Sequence, residues 1–382
     1  MGSRPRRFES CPLRIIKFSN IIIYFSKYPT NHRSYFIRYL YLIFLFATLI
    51  FISCTDPIEE EVEVDWRNLD LTQNFQEGSI KSNGIDRYEL YNGIDKITQL
   101  LDIYSIGIVY KGRLITENYS YGDKESLYNV YSVTKSVLSA LYGHIIDNQI
   151  LKDESIQIGK HLNIEDTTKQ SIRIDHLLMM TSGISDDISY MIQQDAVSYI
   201  LDQDLIFDPG TWWAYTSAGT HVLSGLFTTL TNESAQDYAQ QYLFPELGII
   251  NYYWQKDEKG INNGGYGLRL RLRDMLKFGH LFLQNGKTAN GQILSSSWIN
   301  KSTTKLIDFR EDFGYGYLWW VYVSNNQPIY YAVGYGGQYI IIDESKALVI
   351  AVTSSARSSA KYRDQLLDII FGTVISSFSE VD

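Results

Sequence analysis

Cysteine is nearly absent from this chain of 382 residues, because its two copies, Cys11 and Cys54, both lie in or before an apolar segment near the start. The remainder therefore has no disulfide framework, no cysteine zinc site and no cysteine nucleophile. The sequence also lacks an HExxH pattern, and its six histidines are scattered along the chain. We therefore expect no metal site.

Basic residues are also scarce, with 34 lysines and arginines against 43 acidic residues. Residues 1–54 hold eight of the basic residues and one of the acidic ones, so the acidic excess lies in the rest of the chain. Nucleic-acid binding needs basic surfaces that displace counterions, so no nucleic-acid partner is expected. The chain also lacks the Gly-x-Ser-x-Gly elbow that carries the nucleophile of α/β-hydrolases.

An uncharged apolar run spans Tyr39 to Ile52. At roughly 14 residues, this run is short for a membrane-spanning helix and typical of a signal sequence. It ends in Phe51-Ile52-Ser53-Cys54, which resembles the end of a bacterial lipoprotein signal, where the cysteine is lipidated. We predict an exported lipoprotein, anchored through Cys54 in the cell envelope on the periplasmic or outer surface. A plain membrane anchor or an uncleaved signal is the alternative.

Three regions follow from this pattern. Residues 1–54 are predicted to be an N-terminal extension with the signal segment, 55–92 an acidic tether and extension, and 93–378 the folded domain. Within that domain, a strand pair on either side of Gly112 is followed by a long helical middle, further strand-like runs and a last helix. A first hairpin that joins the late strands gives an antiparallel sheet flanked by helices, with the helical middle as an inserted lobe. The expected class is α/β plus all-α.

The first chemical motif is Ser132-Val133-Thr134-Lys135. Residues three apart on a helix share a face, so this spacing sets an amine beside a hydroxyl, as a Ser-Lys nucleophile requires. The spacing recurs at Ser302…Lys305 and Ser358…Lys361, so the surroundings must decide between them. Ser132 opens an apolar helix, whose first backbone N–H groups are free to bind an anion. The alternative is an N-capping serine with a surface lysine.

Two more segments bear candidate groups. The run from Asp208 to Gly219 places Tyr215 and Ser217 on a loop that leads into a helix. A lysine beside Tyr215 would favour its phenolate form, which could then carry a proton. The run from Tyr331 to Gln338 holds Gly334 and Tyr335, where glycine permits close approach and a backbone N–H could face an oxyanion. A simple β-bulge is the alternative there.

These three segments resemble, in this order, the motifs of the serine β-lactamase and penicillin-binding-protein superfamily. The likeness extends over about residues 90–375 and includes His176–Gly183 and Ser296–Ile299. It points especially to the class C-like branch, which includes D-aminopeptidases, esterases and 6-aminohexanoate-dimer hydrolases. The resemblance implies a β-lactamase-like fold and a reaction that needs no metal or cofactor.

The resemblance also implies a role for each matching residue. Ser132 would be the acylated nucleophile, Lys135 its proton acceptor and Tyr215 a base and acid. Ser217 would stand where the family often has asparagine. The backbone N–H groups of Ser132 and of Tyr335, which follows Gly334, would form the oxyanion hole. The implied activity is that of a serine hydrolase acting on a small ester, amide or peptide.

One position departs from the family pattern. The third motif usually reads Lys-Thr-Gly or His-x-Gly, whereas here it is Ala332-Val333-Gly334. The basic side chain that would bind a substrate carboxylate is missing, which counts against β-lactam hydrolysis and D-Ala-D-Ala recognition. A β-lactamase or D,D-peptidase acting on peptidoglycan peptides is one alternative. A non-catalytic cell-envelope binding protein with this fold is another.

Overall fold

The computed structural model describes residues 64–324, 327–357 and 359–381. The predicted signal segment and the predicted lipidation site Cys54 lie outside these ranges, as does Ser358. Within the described ranges, no helix is both long enough and apolar enough to span a membrane.

A large sheet runs through the described part of the chain in the order β1-β3-β2-β14-β13-β12-β11-β10-β9. Its strands are β1 (Gln76–Glu77), β2 (Ile103–Tyr110), β3 (Arg113–Tyr119), β9 (Ile307–Arg310), β10 (Phe313–Tyr315), β11 (Trp320–Ser324), β12 (Gln327–Gly334), β13 (Gln338–Asp343) and β14 (Leu348–Ser354). Neighbours are antiparallel except β1 and β3. The pairing of β2 with β14 joins the first hairpin to the late strands, as the sequence predicted.

The smaller strands form a three-stranded sheet and a short hairpin, namely β4 (Tyr128–Asn129), β5 (Tyr253–Trp254) and β6 (Leu268–Leu270), with β7 (Lys287–Thr288) and β8 (Gly291–Gln292). The helices are α1 (Arg87–Thr98), α2 (Val133–Asp147), α3 (Thr167–Gln170), α4 (Ile174–Leu178), α5 (Ala196–Asp202), α6 (Ser217–Thr231), α7 (Ala235–Tyr242), α8 (Leu272–Leu283), α9 (Ser296–Thr303) and α10 (Ala360–Ile369). Helices α3 to α7 make up the helical middle.

Two hydrophobic clusters cover the opposite faces of the sheet. Successive strand side chains point to opposite faces, and in β14 Val349 belongs to one cluster while Ile350 belongs to the other. The first cluster includes α2, α8 and the helical middle, and the second includes α1 and α10. The sheet is therefore buried on both sides, which explains why its central strands are almost wholly apolar.

Several boundaries differ from those that the sequence pattern suggested. The sequence of Ile172–Gly183 is typical of a helix that ends at the glycine, but only the short α4 forms there. The sequence of Tyr315–Val321 is typical of one strand, but it is split into β10 and β11, because Leu318 has a positive φ of 63°. The predicted domain boundaries remain predictions, but the extension before residue 93 supplies β1 and the first half of α1.

The segment that follows α4, up to residue 183, fixes the loop that carries Tyr215 through backbone hydrogen bonds. The carbonyls of Met180, Thr181 and Gly183 accept hydrogen bonds from the backbone N–H groups of Ala214 (3.0 Å), Gly210 (2.7 Å) and Ile206 (2.8 Å), respectively. Gly183 has a φ of 79°, and a Cβ added there would lie 2.1 Å from the carbonyl oxygen of Phe207. Only glycine fits this position.

We therefore predict that Gly183→Ala lowers stability more than a left-handed φ alone would. The matched control is Gly260→Ala, because Gly260 has a φ of 81° but no atom within 4 Å of its added Cβ. In urea unfolding, the control should cost about 1 kcal/mol, and Gly183→Ala at least about 2 kcal/mol more, since a backbone oxygen must move. Equal losses would show that the contact with Phe207 imposes no constraint.

Candidate active site

The turn before α2 presents the hydroxyl of Ser132. Tyr131 is held at a φ of 46°, a left-handed conformation that costs free energy for a bulky side chain. Its N–H donates to Asn129 Oδ1 (3.0 Å), and its carbonyl accepts from Thr134 Oγ1 (2.6 Å). The side chain of Ser132 makes no capping hydrogen bond to α2. The N-cap interpretation is therefore wrong, and the hydroxyl is left for another partner.

That partner is the amine of Lys135, which is 1% exposed. Its Nζ lies 3.1 Å from Ser132 Oγ, 3.1 Å from Ser217 Oγ and 2.8 Å from the carbonyl oxygen of Gly265. Burial lowers the pKa of Lys135 to about 7, and the negative charge of Asp186 partly opposes this shift. A neutral amine has two hydrogens and one lone pair. It can donate to Gly265 and Ser217 and still accept a proton from Ser132.

The carbonyl of Gly265 is fixed by a side chain that the sequence analysis did not single out. The Oδ1 atom of buried Asn263 accepts from the backbone N–H groups of Gly265 (2.9 Å) and Tyr266 (3.1 Å), and its Nδ2 lies 3.3 Å from the hydroxyl of Tyr190. The only signal in the sequence was the run Asn262-Asn263-Gly264-Gly265, which reads as an ordinary loop.

Tyr215 lies on the other side of the amine. Lys135 Nζ is 4.8 Å from the centre of its ring, which stacks against Trp320 at 6.2 Å. Burial raises the pKa of Tyr215, and a hydrogen bond with Ser132 only partly offsets this. The prediction of a phenolate at Tyr215 was therefore wrong, because removal from water disfavours the charged form and outweighs the hydrogen bond with Ser132. Tyr215 keeps its proton and can donate it.

Ser217 opens α6, and an acidic side chain holds that helix end. Asp186 Oδ1 accepts from the backbone N–H groups of Ser217 (2.5 Å) and Ala218 (3.2 Å), while Thr216 Oγ1 accepts from Gly219 N (2.9 Å). A carboxylate is favoured at a helix N-terminus, where free N–H groups meet the positive end of the dipole. Asp186 thus fixes Ser217 against Lys135, and sequence reasoning missed it because 31 residues separate Asp186 from Ser217.

Gly334 brings the end of β12 close to the start of α2. A Cβ added to Gly334 would lie 2.2 Å from the carbonyl oxygen of Val130, so the approach requires glycine. The ring of Tyr335 contacts that of Tyr131 at 5.8 Å. Within the described ranges, neither the N–H of Ser132 nor that of Tyr335 donates a hydrogen bond. Both are therefore available to an oxyanion.

The geometry also separates the three Ser-x-x-Lys matches. Ser302 Oγ is buried and donates to the carbonyl of Ile299 (3.0 Å), and Lys305 pairs with Asp308, so this match has no serine–lysine contact. Ser358 lies outside the described residues. Ala332 is a buried position in the middle of β12, opposite Ile340.

Comparison with known proteins bears on the fold. The family described as Beta-lactamase matches residues 97–374. Three similar solved structures are a candidate 6-aminohexanoate-dimer hydrolase from Bacillus anthracis (19% identity, TM-score 0.66, 82% of this chain and 91% of that chain), a β-lactamase/D-alanine carboxypeptidase from Pseudomonas syringae (16%, 0.63, 75% and 98%), and EstCE1, a hydrolase with promiscuous acyltransferase activity (16%, 0.63, 75% and 99%). These likenesses confirm the predicted β-lactamase-like fold.

The electrostatics of Lys135 predict a pH dependence. If its neutral amine is the base, kcat/KM for an ester substrate should rise as pH passes through about 7, where Lys135 loses its proton. Asp186→Asn keeps an oxygen for the N–H groups of Ser217 and Ala218 but removes the charge. Because that charge raises the pKa of Lys135, its loss should move the rising limb to lower pH.

The matched control is Asp187→Asn. The carboxylate of Asp187 binds the N–H of Ser189 (2.9 Å) and the hydroxyl of Tyr199 (2.8 Å) instead of the start of α6. This variant should leave the limb in place. An unchanged limb in Asp186→Asn, or an equal shift in both variants, would contradict the assignment of the base to Lys135 or the influence of Asp186 on it.

Proposed function

The chain belongs to the beta-lactamase family, and on that basis we propose that it is a serine hydrolase that cleaves a small ester or amide through an acyl-enzyme on Ser132. The observation that carries the proposal is the contact of 3.1 Å between Ser132 Oγ and the buried amine of Lys135. A lysine that is deprotonated near neutral pH is the form that activates a serine.

In the acylation step, Ser132 Oγ bonds to the substrate carbonyl carbon while its proton moves to Lys135 Nζ. The carbonyl oxygen becomes an oxyanion, for which the N–H groups of Ser132 and Tyr335 are available. The bond to the leaving oxygen or nitrogen then breaks. Tyr215 gives its phenolic proton to the leaving atom and takes the proton held by Lys135, so that the amine is neutral again.

Deacylation again uses Lys135 and the oxyanion position. A water molecule gives a proton to Lys135 and attacks the acyl carbon, which restores the oxyanion in the same position. The bond between that carbon and Ser132 Oγ breaks, and Ser132 takes its proton back from Lys135. The products are a carboxylic acid and the free enzyme. The side chains named in these steps perform them without a further group.

One feature favours a general ester or amide over a β-lactam or a D-Ala-D-Ala peptide. Position 332 is a buried alanine, so the basic side chain that the family often uses there for a substrate carboxylate is missing. β-Lactamase or D,D-peptidase activity therefore stays the alternative within the family.

The proposal predicts that a fluorophosphonate probe labels Ser132 and that 4-nitrophenyl acetate is hydrolysed. Both should be lost in Ser132→Ala. For an alkyl ester, whose leaving alkoxide needs a proton, Tyr215→Phe should lower kcat/KM about 100-fold. The matched control is Ser139→Ala in the same helix, because Ser139 Oγ is buried without a hydrogen-bond partner in the described structure. This control should keep wild-type activity.

Three outcomes separate the readings. Label and turnover that persist in Ser132→Ala would refute Ser132 as the nucleophile. Nitrocefin hydrolysis with an efficiency well above that for the acetate would favour the β-lactamase alternative. Ligand binding without an acyl-enzyme mass, and unchanged in Ser132→Ala, would favour a non-catalytic binding protein.

We also propose that the protein is exported and lipid-anchored through Cys54, which is supported by the apolar run and the Ser53-Cys54 ending. Metabolic labelling with an alkynyl fatty acid in a bacterial host should mark the full chain and Cys11→Ser. It should fail to mark Cys54→Ser, because a small residue followed by that cysteine is the feature that the lipidation signal needs. Equal labelling of both variants would refute this anchor.

A further inference from the structure

A pocket of about 460 Å³ opens at the end of the sheet beside the proposed nucleophile. The start of β2, the segment from β3 to α2 and the end of β14 surround it. The residues that line it include Tyr104, Tyr121, Tyr128, Tyr131 and Arg357. The volume lies in the range of small-molecule sites.

This pocket shares a wall with the candidate active site. Tyr131, which lines the pocket, directly precedes Ser132 in the chain. Its ring contacts that of Tyr335 at 5.8 Å, and the N–H of Tyr335 is one of the two groups available to an oxyanion. A substrate whose carbonyl lies between Ser132 and Tyr335 therefore has room for one substituent past this ring pair.

The tyrosines offer flat apolar surfaces. The ring of Tyr104 lies 4.9 Å from that of Tyr121 and 6.0 Å from that of Tyr128. The hydroxyl of Tyr128 donates to the carbonyl of Tyr121 (2.7 Å), which ties the cluster together. Tyr121 is nevertheless 66% exposed. An exposed ring in a tied cluster is suited to packing against the face of a planar group.

Arg357 is the one charged residue among those that line the pocket. Its backbone N–H donates to Ser355 Oγ (3.1 Å), which fixes the turn after β14. Its guanidinium makes no ion pair with the acidic side chains of the described residues. The carboxylate of Asp123, which is close to Tyr128 in the sequence, accepts a hydrogen bond from Ser126 Oγ (3.0 Å) instead of pairing with Arg357. Burial raises the pKa of Tyr131, so its hydroxyl stays a neutral donor.

We propose that this pocket binds a carboxylate-bearing aryl part of the substrate, whose ring packs on the tyrosines and whose carboxylate pairs with Arg357. A guanidinium can hold both oxygens of a carboxylate at once. The inference rests on the proposed function only in that the bound group belongs to the molecule that is cleaved. Arg357, in the turn after β14, makes the cationic contact with the substrate carboxylate that Ala332 cannot make.

Binding can be tested without hydrolysis, by calorimetry on the full chain with 4-acetamidobenzoate and the neutral 4-acetamidobenzamide. The carboxylate should bind the wild type at least about tenfold more tightly than the amide, and this preference should vanish in Arg357→Ala. Arg357→Lys should keep part of it. The matched control is Lys361→Ala, which removes one exposed positive charge close by in the chain but outside the pocket lining, and it should keep the preference.

Kinetics then place the carboxylate on one side of the scissile bond. Mono-4-nitrophenyl terephthalate and its methyl ester test the acyl side, whereas 4-acetoxybenzoate and its methyl ester test the leaving side. For one of these pairs, the ratio of kcat/KM between the anionic and the neutral ester should fall at least about tenfold in Arg357→Ala but not in Lys361→Ala.

The outcomes distinguish the two proposals. Equal binding of the benzoate and the benzamide, or a preference that survives Arg357→Ala, overturns the subsite. Turnover of all four esters with ratios independent of Arg357 also overturns it, while leaving the proposed hydrolase function intact. Absence of any Ser132-dependent turnover refutes the hydrolase function, and the calorimetric result still decides whether the pocket binds an aryl carboxylate.

Discussion

The burial of one amine is the constraint on which the rest of this site depends. An ammonium group removed from water is strongly disfavoured unless it is paired, and Lys135 is enclosed by a hydroxyl on either side and a carbonyl. Among the described residues, no carboxylate makes a hydrogen bond or an ion pair with Lys135. Burial therefore lowers the pKa of Lys135 to about 7, so that the neutral amine is well populated near neutral pH. The same shift reduces stability as pH falls from the ordinary lysine pKa of 10.5 to about 7, because in that window the unfolded chain holds the proton and the folded chain does not.

The neighbours of Lys135 come from segments far apart in the sequence, and each is held by its own support. Ser217 depends on Asp186 at the start of α6, and the carbonyl of Gly265 depends on Asn263. Tyr215 depends on the loop that Met180, Thr181 and Gly183 hold in place. These supporting hydrogen bonds join residues that are far apart in the sequence. The site is therefore assembled only when the helical middle has folded against the sheet.

Much of the fold followed from local pattern, and so did the groups with the strongest local context. The hairpin around Gly112, the helix after Ser132 and the late strands were predicted because periodicity and turn residues act within a few residues. Asp186 and Asn263 were not found, since their partners are set by packing and not by spacing. The phenolate predicted for Tyr215 was wrong for a related reason: its pKa depends on burial, which a local sequence motif does not reveal.

The same distinction bears on the missing basic residue at position 332. A sequence motif identifies a side chain by its position along the chain, whereas a substrate contacts whichever side chains surround it in the folded protein. Ala332 lies inside β12. Because β12 and β14 are both antiparallel to β13, which lies between them, their C-terminal ends lie at the same end of the sheet. Arg357 follows β14 directly and reaches the pocket beside Tyr131. In the proposed subsite, a positive charge from the turn after β14 takes the place of the one missing from β12, and the motif alone does not settle which substrates are excluded.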